Sequence, residues 1–216
     1  MTNKSRVNSS HMHIFCDGAC KGNGQKGAVG GWAFASWTSG PTGTGVYGEP
    51  VTAAADRLQI GPKGEVPTNQ RAELKALLEA LQYAQSQPKS VIYTDSLYSL
   101  NCTTKWGPAW KKAGWTRSSG EPLQNLDLIK PLVDLYGSIK ARVEIKHVRG
   151  HQTNSSAEAW GNNWVDRAAV AGSQGIRISA TPVPMSIATT SLTVPVQPKA
   201  PVKVLGQTDL RSWFST

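Results

Sequence analysis

Four acidic residues could act together in this chain: Asp17, Glu73, Asp95 and Asp166. Asp17 ends the apolar run His-Ile-Phe-Cys-Asp at 13–17, and Asp95 ends a second, Val-Ile-Tyr-Thr-Asp, at 91–95. Taken singly, each acid reads first as a solvated surface charge or a helix cap. As a set they imply chemistry. Carboxylates crowded into one pocket repel and take up protons unless divalent cations compensate. Hard oxygen ligands suit Mg²⁺ or Mn²⁺, and two such ions about 3.5–4 Å apart can clamp the attacking and leaving oxygens of an in-line phosphoryl displacement. The reaction expected of such a site is phosphodiester hydrolysis.

For the acids to converge, several elements must deliver them. Residues 13–17 read as a short buried strand that ends on Asp17 and runs into a glycine-rich turn at 18–27. Residues 30–37 have strand character, and 40–48 read as the turn of a hairpin leading to a strand at 51–55. Leu74, Leu77, Leu78 and Leu81 fall at i, i+3, i+4 and i+7, marking an amphipathic helix over 69–87 that Pro88 stops, with Glu73 in its first turn. A strand at 91–95, parallel to the first with that helix as crossover, would put Asp95 and Asp17 at one sheet edge. Beyond it come a short helix from Ser96, a tryptophan-and-lysine segment at 105–117, a helix at 123–136, a strand at 142–148, and a last helix at 157–170 carrying Asp166. The expected organisation is a polar arm at 1–12, an α/β domain at 13–172, a flexible linker at 173–206 rich in Ser, Thr, Val and Pro, and an apolar cluster at 207–216.

The chain has 216 residues and a net charge of +9. Such a balance points to a polyanionic partner, either nucleic acid or an anionic membrane surface, and carries no information about fold. No apolar run approaches the roughly 20 residues of a membrane span, and residues 1–12 lack the apolar centre of a signal peptide. A soluble protein of a reducing intracellular compartment, cytoplasm or nucleus, is expected. Cys16, Cys20 and Cys102 match neither a disulfide framework nor a zinc ribbon. His11 and His13, close to the chain start, are assigned no role.

Four phrases follow in order: Asp17-Gly18-Ala19-Cys20 with Gly22-Asn23-Gly24, Thr68-Asn69-Gln70-Arg71-Ala72-Glu73-Leu74, Tyr93-Thr94-Asp95-Ser96, and Gly161-Asn162-Asn163-Trp164-Val165-Asp166-Arg167-Ala168. Together, from His13 to Gly172, they resemble the type 1 ribonuclease H (RNase HI) family. The resemblance implies an α/β ribonuclease H-like fold, a mixed five-stranded sheet with helices on both faces. It implies two Mg²⁺ ions, with Mn²⁺ as the alternative, ligated by Asp17, Glu73, Asp95 and Asp166. The implied activity is endonucleolytic hydrolysis of the RNA strand of an RNA/DNA hybrid to 5′-phosphate and 3′-hydroxyl ends, with water as nucleophile and no covalent intermediate. His151 resembles the family's mobile loop histidine, which assists proton transfer or product release, work that a pKa near neutrality suits. The stretch 48–67 carries no motif of the family.

A hybrid-specific enzyme must detect the 2′-hydroxyl, which separates RNA from DNA locally. By motif position Asn23, Asn69 and Gln70, with the backbone of Cys20, resemble residues that contact ribose hydroxyls and the minor groove, although turn and cap chemistry also favours asparagine. For the DNA strand, Thr68 and Asn125 match the family's phosphate pocket, and Trp106 and Trp110 match aromatics that pack on deoxyribose. Lys105, Lys111, Lys112 and Arg117, with no acid between Ser96 and Gly120, would form a basic protrusion over the backbone. The other reading of that segment is a solvated charge run with core tryptophans, and Trp115 reads as core.

Gln207, Leu210, Trp213 and Phe214 satisfy Gln-x-x-aliphatic-x-x-aromatic-aromatic, which resembles the peptide that binds the sliding clamp PCNA. One 3₁₀ turn would gather Leu210, Trp213 and Phe214 into an apolar plug. A flexible linker over 173–206 would span on the order of 30–35 Å, tethering a monomeric enzyme to DNA replication. Alternatively, the aromatics fold back on the domain. A non-catalytic hybrid-binding or clamp-tethered adaptor on the same fold is the second functional reading, and the intact acidic set argues against it.

Overall fold

In β1 (Met12–Lys21) alternate residues serve different cores: Met12, Ile14 and Cys16 join one buried cluster and Phe15 the other. A strand apolar on both faces belongs in the middle of a sheet, covered on both sides. The computed structural model, which describes residues 11–38, 47–117, 119–150, 156–179 and 204–205, places it there. β1 pairs antiparallel with β2 (Val29–Trp37) and parallel with β4 (Ser90–Thr94). β3 (Thr52–Arg57) continues the meander beyond β2, and β5 (Val143–His147) lies parallel to β4. The turn expected between β2 and β3 falls almost wholly outside the described residues.

The sheet is mixed, as expected, but wider than five strands. β6 (Arg177–Ser179) pairs antiparallel with β3, and β7 (Val204–Leu205) runs parallel to β6, giving the order β5-β4-β1-β2-β3-β6-β7. Both additions lie in the stretch whose composition reads as linker. Two or three residues are too few to show a strand period.

Helices cover both faces. α1 (Asn69–Ala84) buries Leu74, Leu77 and Leu81 completely against the sheet, alongside Ile129 and Leu132 of α4 (Leu126–Ile139). Each such side chain contributes roughly 1.5–3 kcal/mol of burial. α5 (Ala157–Ser173) covers the other face with Trp164, Val165 and Ala168. Its close approach requires Gly31 of β2, where a Cβ would overlap the carbonyl oxygen of Ala169 and the amide nitrogen of Ser173. Among the described residues no helix is long and apolar enough to cross a membrane.

Three boundaries differ from expectation. β1 does not stop at Asp17 but continues to Lys21, because residues 18–21 pair with β2. α1 starts at Asn69 as expected but ends at Ala84, short of 87, and Glu73, its fifth residue, lies beyond the first turn. The fourth helix is displaced to 126–139 because Asn125, before it, is held in the left-handed region at φ 58. The tryptophan-and-lysine segment is mostly helical: α2 (Leu97–Asn101), a π-helical turn (Cys102–Trp106) and α3 (Gly107–Lys112) follow without a break. Pro108 accounts for the π turn. It has no N–H for the usual bond and crowds the carbonyl four residues back. The Gly107 N–H instead reaches Cys102 O, five residues back.

Candidate active site

β1 outruns its parallel neighbour. Their last pair is Phe15 with Tyr93, and Asp95 directly follows the end of β4, so Asp17 and Asp95 meet where the two strands part. α1 brings the third acid. It presses onto β1 at Gly18, where a Cβ would overlap the backbone of Ala72 and Glu73, and this approach sets Glu73 against Asp17. Oxygens of Asp17, Glu73 and Asp95 lie within 4.8 Å of one another. Asp166, on α5, falls outside that tight group yet is near enough for its charge to raise the Asp17 pKa.

Burial, then the charges of Asp95 and Asp166, push Asp17 up to about 8, against the pull of the Gly18 N–H, which donates to Asp17 Oδ1 at 2.7 Å. Glu73 is raised well above the usual carboxylate range, first by burial and then by Asp17 and Asp95. The Cys16 thiol beneath them is pushed up in the same way, which keeps it protonated and inert. Glu73 Oε2 is buried with no hydrogen-bond partner. An orphaned carboxylate oxygen among mutually repelling acids is a fitting ligand set for a hard divalent cation.

Two residues that were assigned no role in the site hold Asp95. Asn162, 2% exposed, donates Nδ2–H to Asp95 Oδ2 at 3.2 Å. Gly150 leaves room for the same oxygen, since a Cβ there would sit 2.5 Å from it. The available signal for Asn162 was its position four residues before Asp166, one helical turn away on the same face. Gly150 gave none. His151, expected to act beside them, lies outside the described residues, as do Gln207, Leu210, Trp213 and Phe214.

The candidates for the RNA strand flank the acids. Gly22 and Gly24, with φ of 79 and 80, shape the turn after β1, and Asn23 Oδ1 accepts the Asn69 N–H at 2.9 Å. Asn23 is therefore in part a cap for α1, one of the two roles open to it. Asn69 and Gln70 are exposed and Cys20 is partly buried.

For the DNA strand, Thr68 and Asn125 line one cavity of about 490 Å³. Thr68 Oγ1 accepts the Arg71 N–H at 3.1 Å, and Asn125 donates Nδ2–H to the Tyr98 hydroxyl at 3.3 Å. Trp106 and Trp110 stand 6.1 Å apart, ring centre to ring centre, with Trp106 42% exposed and so open to a ligand. Lys105 and Lys112 are exposed, whereas Lys111 pairs with Asp134 and Arg117 with Glu121. Exposed pairs of this kind are worth about 0–1 kcal/mol and yield readily to a phosphate. Trp115 is only partly buried, packed on the core with Lys130 over its ring.

Fold and site together define an α/β protein with a buried carboxylate cluster at the parting of two parallel strands. The RNase H family model matches residues 9–174. The chain is 35% identical over 162 residues to the ribonuclease H of Verminephrobacter eiseniae, covering 74% of this chain and 93% of that one. Among solved structures, it resembles LC9-RNase H1, described as a type 1 RNase H with the type 2 active-site motif, at 26% identity and TM-score 0.57, over 79% of this chain and 75% of that one. The PFV RNase H domain shares the fold at TM-score 0.62 and 24% identity, over 76% of this chain and 94% of that domain. The chain belongs to the ribonuclease H family, hydrolases of the RNA strand of RNA/DNA hybrids.

Proposed function

We propose that the protein is a type 1 ribonuclease H that cuts the hybrid's RNA strand with two divalent cations, Mg²⁺ or Mn²⁺. The observation that carries this reading is the cluster of Asp17, Glu73 and Asp95, oxygens within 4.8 Å of one another, with Glu73 Oε2 buried and unpartnered. These three and Asp166 would hold the ions. When bound, the cations supply charge neutralisation and Lewis acidity to the phosphodiester displacement.

The chain's own groups position the substrate. Asn162 orients the Asp95 carboxylate through its Nδ2–H bond, which favours one ligand geometry over many. Asn23, Asn69 and Gln70, with the Cys20 backbone, meet the 2′-hydroxyls of the RNA strand. Thr68 and Asn125 take a phosphate of the DNA strand, Trp106 and Trp110 pack on its sugars, and Lys111 and Lys112 face its backbone. His151 moves a proton at the leaving group, and the products are 5′-phosphate and 3′-hydroxyl ends. The segment Gln207, Leu210, Trp213 and Phe214 binds the sliding clamp PCNA and brings the enzyme to DNA replication.

An end-labelled RNA/DNA hybrid tests the reaction, with single-stranded RNA and duplex DNA as controls. The expected result is Mg²⁺-dependent cutting of the RNA strand in the hybrid alone, abolished by Asp17→Asn. Binding without cutting in either Mg²⁺ or Mn²⁺ would establish the adaptor instead. For the clamp, equal capture by PCNA of the full chain and a chain ending at Gly206 would remove that part of the proposal.

A further inference from the structure

Arg71 is a guanidinium 3% exposed, an expensive placement for a fixed charge. Asp127 chelates it: Nη1 donates to Oδ1 at 2.9 Å and Nη2 to Oδ2 at 2.6 Å. The pair ties α1 to α4, but an apolar contact would do that without desolvating two ions. A third bond distinguishes it. Arg71 Nη1 also reaches Asn125 Oδ1 at 3.3 Å.

Besides Arg71, the Asn125 side chain has one further partner, the Tyr98 hydroxyl, which accepts one Nδ2–H at 3.3 Å. The backbone of Asn125 sits at φ 58, and its side chain makes no cap bond to α4. Holding the carbonyl end of its amide to Arg71 forces the NH₂ end the other way, so one rotamer is selected and an amide flip is excluded. Arg71, Thr68 and Asn125 line the same cavity, which also receives the first residues of α4. Arg71 Nε is buried there without a partner. Asp127 neutralises Arg71, and Lys63 and Glu65 of the lining balance each other, so what the cavity offers a phosphate is hydrogen-bond donors held in place and not net charge.

We propose that Arg71, locked by Asp127, is the positioning residue of the DNA-strand phosphate site: it fixes the Asn125 amide so that the second Nδ2–H, the one not given to Tyr98, serves a phosphate. This rests on the reading of Thr68 and Asn125 as that site.

The test uses the full chain and a set of hybrids, each with one neutral methylphosphonate at a successive position of the DNA strand. In the unaltered protein one position should raise KM about tenfold, the worth of one hydrogen bond to a charged group, and Asn125→Ala should erase that sensitivity. Arg71→Met should raise KM on the all-phosphate hybrid about tenfold, leave kcat within about twofold, and lose sensitivity at the same position. Asp127→Asn, which keeps the guanidinium and the shape of its partner, should do the same to a lesser degree and covers the case in which Arg71→Met does not fold. If the Arg71 and Asp127 variants keep the full position-specific effect while Asn125→Ala loses it, the pair is a structural staple and the proposal falls. If the unaltered protein has no sensitive position, or Asn125→Ala retains it, the phosphate site itself is misplaced and both readings fall.

Discussion

Replacing Asp17 of the acidic cluster by asparagine should make the metal-free protein more stable. Asp17 is pushed from 3.8 to about 8. Each unit is 1.36 kcal/mol, so ordering this site without a cation costs the fold as much as about 4 kcal/mol at pH 7. Relaxation of the side chains and entry of water reduce this, and about 2 kcal/mol is the gain expected from Asp17→Asn. For a chain of this size that raises Tm by roughly 4–8 °C. The sign follows from linkage. A folded-state pKa above the unfolded one gives stability that is complete below pH 3.8 and drains away as pH rises towards 8. The variant's advantage should therefore be largest at pH 7–8 and shrink towards zero near pH 4. Circular-dichroism melts in EDTA across this range measure it. Mg²⁺ should reverse the order at neutral pH, because binding to the native site stabilises only a chain with the ligands. An Asn variant no more stable than the parent at pH 7 in EDTA, or a gain that ignores pH, would refute the claim that electrostatic repulsion is stored in the site.

Asp127→Ala should destabilise by about 3 kcal/mol in urea unfolding, since it strands the buried Arg71 charge. The Arg71 guanidinium holds the Asp127 pKa below its usual 3.8, so this contribution is present above about pH 4 and is lost as pH falls through the lowered value. Gly18→Ala should cost about 1–3 kcal/mol and most of the cleavage activity, because the added methyl drives α1 and Glu73 away from Asp17. A Gly18→Ala enzyme with normal turnover would mean that Glu73 is not held through that contact. Asn162→Ala should lower cleavage about 10–100-fold, with part of the loss recovered at high Mg²⁺. A loss that Mg²⁺ titration leaves unchanged would argue against its orienting role.

What could be read from the sequence followed from periodicity and from motif order. The leucine spacing of α1, the apolar runs ending on Asp17 and Asp95, and the parallel crossover between them all came through, because each is local or joins neighbours in the chain. Element ends were less legible. Nothing in residues 18–21 distinguishes a glycine-rich turn from the end of a strand whose partner is β2. Pro88 suggested a longer α1 than the one that ends at Ala84. Pro108 was visible, but its consequence, a π turn that carries the helix onward, depends on Gly107 fitting against Cys102 O and Val133.

The residues that remained illegible share a physical reason: their role exists only across large sequence separations. Arg71 and Asp127 are 56 residues apart, and Asn162 and Asp95 are 67 apart. In a phrase such as Thr68 to Leu74, the acid draws attention because its chemistry can be stated alone, whereas the arginine two positions earlier looks like a surface charge until its burial is known. The same holds for Gly18, Gly31 and Gly150, which matter for the side chain they lack. A site of this kind is specified twice. The acids that can do chemistry are legible as residue types, while the glycines, the Asn162 amide and the Arg71–Asp127 pair that aim its groups are legible only as geometry.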